Sequence, residues 1–553
     1  MLRVYNSLER ELQDFKPLHE GLVGIYVCGP TVYGHSHIGH AKSYVSFDVI
    51  VRYLRHRFPD HRVRYVQNIT DVGHLTDNAD MGEDKVAAKA RELGLQPMEV
   101  ADTFTRSYFE DMDALNVLRP DISPRATGHI PQQIELVQKL IERGHAYEAE
   151  GNVYFDVESF AGYGKLSGRN LDEMMEAVRI EARTEKRHPA DFAVWIKAEP
   201  GHLMRWNSPW GEGFPGWHLE CSAMSMKYLG ETVDIHGGGI ENSFPHHEDE
   251  IAQSEAATGK PFVRYWLHNN MVTVNGQKMG KSLGNFITLK DAFAGEPPLG
   301  KPVRPMVLRY FVLTSHYRSP LDFSVEALDA AEKGLERIEN TVGRVRRALR
   351  QTAAQMPDSE AAVRERPAQP LLFDEPLSAH PAGSQAAVPD QVRKLITDTR
   401  AQFLAEMDND FNTAGAIGVL STFTRDVNRL LDEDKALPAQ AFVALNGLYE
   451  DLGGRVLGIV RIHTDAIQAS ADGAIQEQVT GEATGTVQVT AAGGGILRRG
   501  ASIDRQLIET LLAVRADLRK ARQYELADSI RERLAKLGIE VQDGADGARW
   551  QFK

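Results

Sequence analysis

The chain has 553 residues, 42% of them apolar and 25% charged, a globular mixture that excludes disorder throughout and leaves room for about three to four domains. Its 63 Lys and Arg against 77 Asp and Glu give a net charge of −14, which excludes a uniformly basic nucleic-acid coat but not a local basic patch. No apolar run approaches the ~18 residues of a membrane span; Met306–Thr314 is broken by Arg309, and Met1–Phe15 has no apolar signal core, so a cytoplasmic protein without a membrane partner is expected.

Leu22–Cys28 (LVGIYVC) is almost continuously apolar, as in a strand buried on both faces of a parallel sheet. A loop, GPTVYG, follows. From Ile38 apolar residues recur at Ala41, Val45, Val49 and Tyr53, a helical stripe, and Val63–Val66 reads as a second strand. Strand, loop, helix and strand make a βαβ unit, the start of a doubly wound, Rossmann-type nucleotide-binding sheet. Residues 121–202 read as an insertion, with a helix over 130–143 and a short strand at Val153–Phe155. The sheet resumes at Thr232–His236, with Gly237-Gly238-Gly239 as a turn at its carboxyl end. Ile251–Ala257 is helical. Tyr265–Val274 is strand-like and meets Asn275-Gly276, a hairpin signal.

From Ser324 the pattern is helical, with one stripe at Leu328, Ala331, Leu335, Ile338, Val342 and Val345. Residues 351–390, rich in Ala, Pro, Gln and Ser without a period, read as a disordered insert. Helices resume at Val392–Met407 and Asn412–Leu431, and 466–495 reads as a linker. The tail Ile503–Gly538 is helical and charged. Residues 496–553 carry twelve Lys and Arg against nine Asp and Glu, a local +3.

Three clusters carry chemistry. His37-Ile38-Gly39-His40 opens the first helix, where free N–H groups and imidazole donors can meet a phosphate and Gly39 allows close approach; the alternative is a histidine-rich loop. Lys278-Met279-Gly280-Lys281-Ser282 follows the hairpin, two lysines suited to a mobile loop that closes over polyphosphate, or else a solvated basic loop. Cys28 and Cys221 are the only cysteines. A disulfide has little use in a cytoplasmic chain of this size, leaving an inert buried role or a metal-binding or catalytic one. With His246 and Glu250, which share a helix face at i, i+4, they make a tetrahedral zinc set. His247 and Glu248 compete as ligands, and His218 and His236 lie close in sequence. A capped helix with solvated Glu248, Asp249 and Glu250 is the other reading.

Together these segments resemble the cysteinyl-tRNA synthetases, a class I aminoacyl-tRNA synthetase family. The likeness runs through YVCGPTVYGHSHIGH (Tyr26–His40), NITDVG (Asn68–Gly73), GWHLECSAM (Gly216–Met224), DIHGGG (Asp234–Gly239), FPHHEDEIAQSE (Phe244–Glu255) and KMGKS (Lys278–Ser282), and spans nearly the whole chain. The resemblance implies an α/β, doubly wound catalytic domain with an insertion, followed by an α-helical bundle and a small C-terminal anticodon-binding module. It implies one zinc per chain, ATP with Mg²⁺, L-cysteine and tRNA(Cys), and a monomer. Position by position, Cys28, Cys221, His246 and Glu250 match the zinc ligands. His37, Gly39 and His40 match the ATP-phosphate motif, Lys278 and Lys281 the mobile lysine loop, and Thr70 and Trp217 the amino-acid pocket. Gly280 stands where the family's loop usually has serine, which removes a hydroxyl and loosens the loop. Ile240-Glu241-Asn242 departs from the usual pattern after DIHGGG.

The boundaries that follow are 1–120 and 203–270 for the two catalytic halves, 121–202 for the insertion and 271–323 for the lysine loop and stem contact. The bundle is 324–465 with its insert at 351–390, then come the linker 466–495 and the C-terminal module 496–553. The expected reaction forms cysteinyl-adenylate and pyrophosphate, then esterifies tRNA. His37, His40, Lys278 and Lys281 stabilise charge without a protein nucleophile, and zinc selects the cysteine thiolate over the serine hydroxyl. Two alternatives are a ligase joining cysteine to an amino sugar, which needs no residues beyond Ser324, and a non-catalytic tRNA-binding relative, which would have lost the phosphate-binding residues.

Overall fold

The computed structural model describes residues 1–75, 83–169, 185–280, 283–297, 299–354, 388–433 and 437–462, together with 528, 530–531, 534, 539–544 and 547–552. Met1–Ala474 is one compact unit and Ile475–Lys553 a second.

The first unit is built on a parallel sheet of four strands: β1 (Leu22–Val27), β2 (Arg62–Gln67), β3 (Val233–Gly239) and β4 (Val263–Asn269). Their order is β4-β3-β1-β2, every pair parallel. The apolar run of β1 is explained by cover on both faces. Val23, Ile25 and Val27 pack with the first helix, α1 (Ile38–Arg57), while Tyr26 and Cys28 pack with Cys221, Met224 and Ile251. Those last three come from α2 (Trp217–Leu229) and α3 (His246–Thr258). Connections leave in opposite directions from β1 and β3, so a crevice opens between their carboxyl ends, where such sheets bind ligands.

The three glycines read as a turn after β3 belong to the strand itself, paired in register with Leu267, His268 and Asn269. Their missing side chains admit neighbours. A Cβ on Gly237 would lie 2.2 Å from the Phe47 ring, and one on Gly238 2.8 Å from the His247 ring. The intervening segment forms its own antiparallel sheet, ordered Ala146–Ala149, Asn152–Phe155, Phe192–Lys197, Gly211–Pro215 and Trp206–Ser208. Its last two strands lie beyond residue 202, in a stretch where glycine and charge mask alternation. The hairpin signal holds: Val272–Val274 pairs with Gln277–Lys278, and Asn275 and Gly276 both have positive φ, 49° and 75°, as a two-residue turn between right-twisted strands requires.

The helical half comprises Val325–Ala354, Asp390–Met407, Thr413–Asp432, Ala439–Leu448 and a π-helix, Tyr449–Val456. The stripe from Leu328 to Val345 is buried. Of 351–390, the helix covers Gln351–Ala354 and resumes at Asp390; 355–387 lie outside the described residues, as do all of 466–495 and most of 496–553. In the second unit Ile539–Gly544 and Gly547–Phe552 pair as an antiparallel hairpin, directly after the Ile503–Gly538 stretch read as helical, most of which lies outside the described residues.

One buried charge ties the halves together. Arg309, on α4 (Pro305–Leu313), is fully buried. It donates to Asp48 Oδ2 of α1 at 2.5 Å, to Leu457 O at 2.7 and 2.9 Å, and to the carbonyls of Leu115 and Asn116 at 3.0 Å. Asp48 also receives Arg52 Nε at 2.8 Å. Removing one member of such a node leaves buried acceptors and half a charge pair uncompensated. Arg309→Met is expected to lower stability by about 3–5 kcal/mol in denaturant titration; a loss below ~1 kcal/mol would show that the node contributes little.

Candidate active site

β1 ends at Val27 and α1 begins at Ile38, so ten residues of loop deliver His37 as the helix N-cap. Two imidazoles form its capping box. His37 Nδ1 accepts the Gly39 N–H at 3.1 Å, and His40 Nδ1 accepts the His37 N–H at 3.3 Å. The rings stack at 3.8 Å and 20°. Because each Nδ1 accepts, each neutral ring carries its proton on Nε2. Burial, and then the neighbouring His37, holds His40 well below the usual histidine range, so it stays neutral. Gly39 is needed for the cap: a Cβ there would lie 2.9 Å from the His37 ring. The free N–H groups expected at this terminus are partly taken. Gly39 N–H serves His37, and Ile38 N–H donates to Ile287 O at 3.2 Å. The imidazoles, more than the backbone, are what this end offers an anion.

The lysine loop is stitched to the same end. Ser36 O accepts from Leu289 N at 2.7 Å, and the Phe286 ring meets His37 edge-on at 5.2 Å. Asn285 closes the loop, accepting from Gly280 N at 2.9 Å and donating to Lys278 O at 3.1 Å. Lys278 is exposed. Lys281 and Ser282 lie outside the described residues.

Cys28, Cys221, His246 and Glu250 converge at the crevice, each fully or almost fully buried and with donor atoms within 4.8 Å of one another. The two sulfurs are 3.9 Å apart, Cys28 Sγ lies 3.7 Å from Glu250 Oε1, and His246 Nε2 3.1 Å from the same oxygen. A second set overlaps it: Cys28, His236, His247 and Glu250, with His247 Nε2 at 3.2 Å and His236 Nε2 at 3.5 Å from Cys28 Sγ. The competition from His247 is therefore real in space, and His236 joins it. Outer imidazoles orient both inner ones: His218 Nδ1 lies 2.9 Å from His246 Nδ1, and His268 Nε2 lies 2.8 Å from His247 Nδ1. Second partners of this kind fix ligand orientation in metal sites.

Burial pushes the Cys28 thiol and the Glu250 carboxyl up, disfavouring the charged form of each. Burial also raises Cys221, but hydrogen bonds with Cys28 and His246 outweigh it and bring the thiol to about 7. Among the described residues Glu250 Oε2 has no hydrogen-bond partner, although His236 Nε2 is 3.4 Å away. Two thiols, imidazoles and an unsatisfied carboxylate oxygen, sealed from water, fit a zinc ion: its charge would ionise the donors and occupy the open oxygen.

The solvated-acid reading of α3 is corrected. Glu248 and Asp249 are buried because the inserted segment folds back on them. Glu248 accepts from Leu166 N and Ser167 N at 3.3 and 2.8 Å, and Asp249 from Tyr163 Oη at 2.5 Å.

Thr70 and Trp217 line the same region. Gly29 N–H donates to Asn68 Oδ1 at 2.7 Å, Asn68 Nδ2 to Thr70 Oγ1 at 3.0 Å, and Thr70 Oγ1 to Glu220 Oε2 at 3.0 Å. This chain links the residue after Cys28 to the residue before Cys221. The Trp217 indole, in the first turn of α2, packs on His246 at 4.3 Å and lies flat on His74 at 3.8 Å and 7°. His74 was not singled out in the sequence; its only signal is its place directly after NITDVG.

Comparison with known proteins finds matches over both the sheet and the helical parts of the chain. Residues 14–333 match the family described as tRNA synthetases class I (C) catalytic domain, and residues 402–461 the DALR domain. A cysteine–tRNA ligase of Chlorobaculum tepidum is 49% identical over 555 residues, covering 100% of this chain and 99% of that one. Those of Deinococcus radiodurans and Thermus thermophilus are 45% and 43% identical, each across 100% of this chain and 96% and 99% of theirs. The Agrobacterium radiobacter LeuRS in its ternary complex with tRNA and LeuAMS superposes with a TM-score of 0.52 at 12% identity, over 81% of this chain and 85% of that one. Mycobacterium tuberculosis methionyl-tRNA synthetase with methionyl-adenylate gives 0.50 at 16%, over 79% and 89%. These two structures share the fold.

Proposed function

We propose a residue-level mechanism from one premise: the chain belongs to the cysteine–tRNA ligase family of class I aminoacyl-tRNA synthetases. It joins cysteine to tRNA at the expense of ATP. The observation that carries the residue assignment is the buried Cys28–Cys221–His246–Glu250 set in the crevice between β1 and β3, with His37 and His40 at the start of the helix that follows β1.

The cysteine carboxylate oxygen attacks the α-phosphorus of ATP, brought as its magnesium complex, and the bond to pyrophosphate breaks. A terminal ribose hydroxyl of tRNA(Cys) then attacks the carbonyl carbon, and AMP leaves. His37 and His40 donate Nε2–H to the phosphate oxygens as charge shifts onto them, and Lys278 and Lys281 meet the departing pyrophosphate. Thr70 and Trp217 orient the amino acid. Bound by the four donors, one zinc per chain would supply a soft Lewis-acid partner for a thiolate that a serine hydroxyl cannot equal. Binding a polar side-chain group positively rejects analogues by roughly 10⁴ to 10⁵. The likeness to cysteine–tRNA ligases over the whole of this chain favours a tRNA product over an amino-sugar product. The local positive balance of 496–553 supports a tRNA-anchoring role for that module. No helix among the described residues is long and apolar enough to cross a membrane, and a cytoplasmic site of action accompanies tRNA charging.

Cysteine-dependent pyrophosphate exchange followed by tRNA charging tests this reading. Exchange with cysteine but not serine is expected, and equal exchange with both would overturn the selection mechanism. Lys281→Ala is expected to lower the exchange rate by about 10² while the KM for cysteine changes little, since the loop acts on charge developed in the transition state. Matching losses in rate and cysteine affinity would mark Lys281 as structural.

A further inference from the structure

We propose that His74 is a positioning residue for amino-acid selection: a fixed aromatic plate that holds the Trp217 indole against His246. The inference rests on the cysteine-ligase reading and deepens it.

The plate is anchored at every level. Its loop leaves the carboxyl end of β2 and is tied to the start of the helix Lys85–Leu93: Gly73 N donates to Asp84 Oδ2 at 2.6 Å, and Lys85 N to His74 O at 2.9 Å. Gly73 has φ +82°, a conformation that favours glycine, and a Cβ there would meet Pro215 O at 2.8 Å, just before α2. Both ring nitrogens are engaged. Nε2 lies 2.6 Å from Lys85 Nζ and Nδ1 2.7 Å from Thr31 Oγ1. An ammonium only donates, so Nε2 accepts; the neutral ring then carries its proton on Nδ1 and donates to Thr31. Two such bonds fix the ring's rotation. Thr31 is itself paired with Thr70 by an isolated parallel bridge, so His74 hangs from the same loop pair as the pocket wall.

The fixed ring lies against Trp217 in near-parallel stacking, 3.8 Å and 7°, and the indole also contacts His246. Gly216, the residue before Trp217, offers no side-chain cap to hold the helix start. His74 therefore limits where the indole can turn, and a wall held in place before the substrate arrives costs less ordering on binding. Such a residue acts on ground state and transition state alike, so its loss falls on KM rather than kcat.

In cysteine-dependent pyrophosphate exchange, His74→Ala is expected to raise the KM for cysteine about tenfold, with kcat and the KM for ATP within about threefold. Zinc content stays near one per chain. His74→Phe, which restores a flat face, recovers most of the affinity; His74→Gln, which keeps polar contacts without the face, does not. Should the alanine variant fail to fold, the Phe and Gln pair decides. A cysteine KM within about twofold of wild type in His74→Ala, rescue by Gln but not Phe, or loss of zinc would each overturn the inference. A wild-type chain without cysteine-dependent exchange would instead overturn the proposed function, so the two failures are distinguishable.

Discussion

Cys221→Ser is expected to cut bound zinc from about one per chain to below ~0.1 and to lower cysteine activation by about 10³ or more. The substitution decides between the two overlapping donor sets. Cys28 and Glu250 belong to both, so their loss is uninformative, whereas Cys221 and His246 belong to one and His236 and His247 to the other. Serine preserves the volume and removes the soft donor. Zinc analysis of purified protein, with cysteine and serine exchange measured side by side, reads both effects. Retained zinc in Cys221→Ser together with loss in His247→Ala would transfer the assignment to the second set. Retained zinc in the double variant Cys221→Ser/His247→Ala would remove the crevice from consideration as a metal centre.

Ending the chain at Ala474 is expected to leave cysteine-dependent exchange within about threefold of the full chain while reducing tRNA charging by about 10² or more. Every candidate residue for ATP, cysteine and zinc precedes Leu283 and falls in the compact unit Met1–Ala474. The removed part includes residues 496–553, with twelve basic against nine acidic residues in a chain of net charge −14. An acidic protein must overcome repulsion from RNA somewhere, and contacts far from the chemistry raise the effective concentration of the acceptor end. The salt dependence of tRNA binding, measured for both chains, is expected to be shallower in the shorter one. Equal charging by the two would assign the anchor to the first unit.

Much of this was legible in the sequence because the signals were local. The double-faced apolar run of β1, the i, i+4 pair on α3 and Asn275-Gly276 each follow from spacing within a few residues. What escaped depends on partners distant in sequence. Gly237–Gly239 reads as a turn until Phe47 and His247 are seen occupying the space of its absent side chains. Glu248 and Asp249 read as solvated until Tyr163, Leu166 and Ser167 arrive from the insertion. Arg309 reads only as an interruption of an apolar run, whereas it carries five hydrogen bonds at the meeting of α1, α4 and the end of the π-helix. His74 has no period or motif of its own and acquires meaning only from a ring on another helix.

The sheet's chain order has a consequence during synthesis. β1 and β2 can pair early, and α1 covers one of their faces. The other face, with Tyr26, Cys28 and Val66, waits for Met224 and Cys221 of α2. The inner neighbour β3 begins only at Val233. At ~5–20 residues per second, the roughly 200 residues between β1 and β3 take ~10–40 s to emerge from the ribosome. Through that interval the nascent chain carries an unpaired β1 edge and an uncovered apolar face, the two features that invite association with other chains. The N-terminus waits longer still, since Tyr5 N–H finds its acceptor, Asp410 Oδ1, only in the bundle. Chaperone engagement of this chain is therefore expected to peak once β1 and β2 are out and to decline as residues 217–269 follow, with Cys28 open to thiol reagents until Cys221 arrives to enclose it.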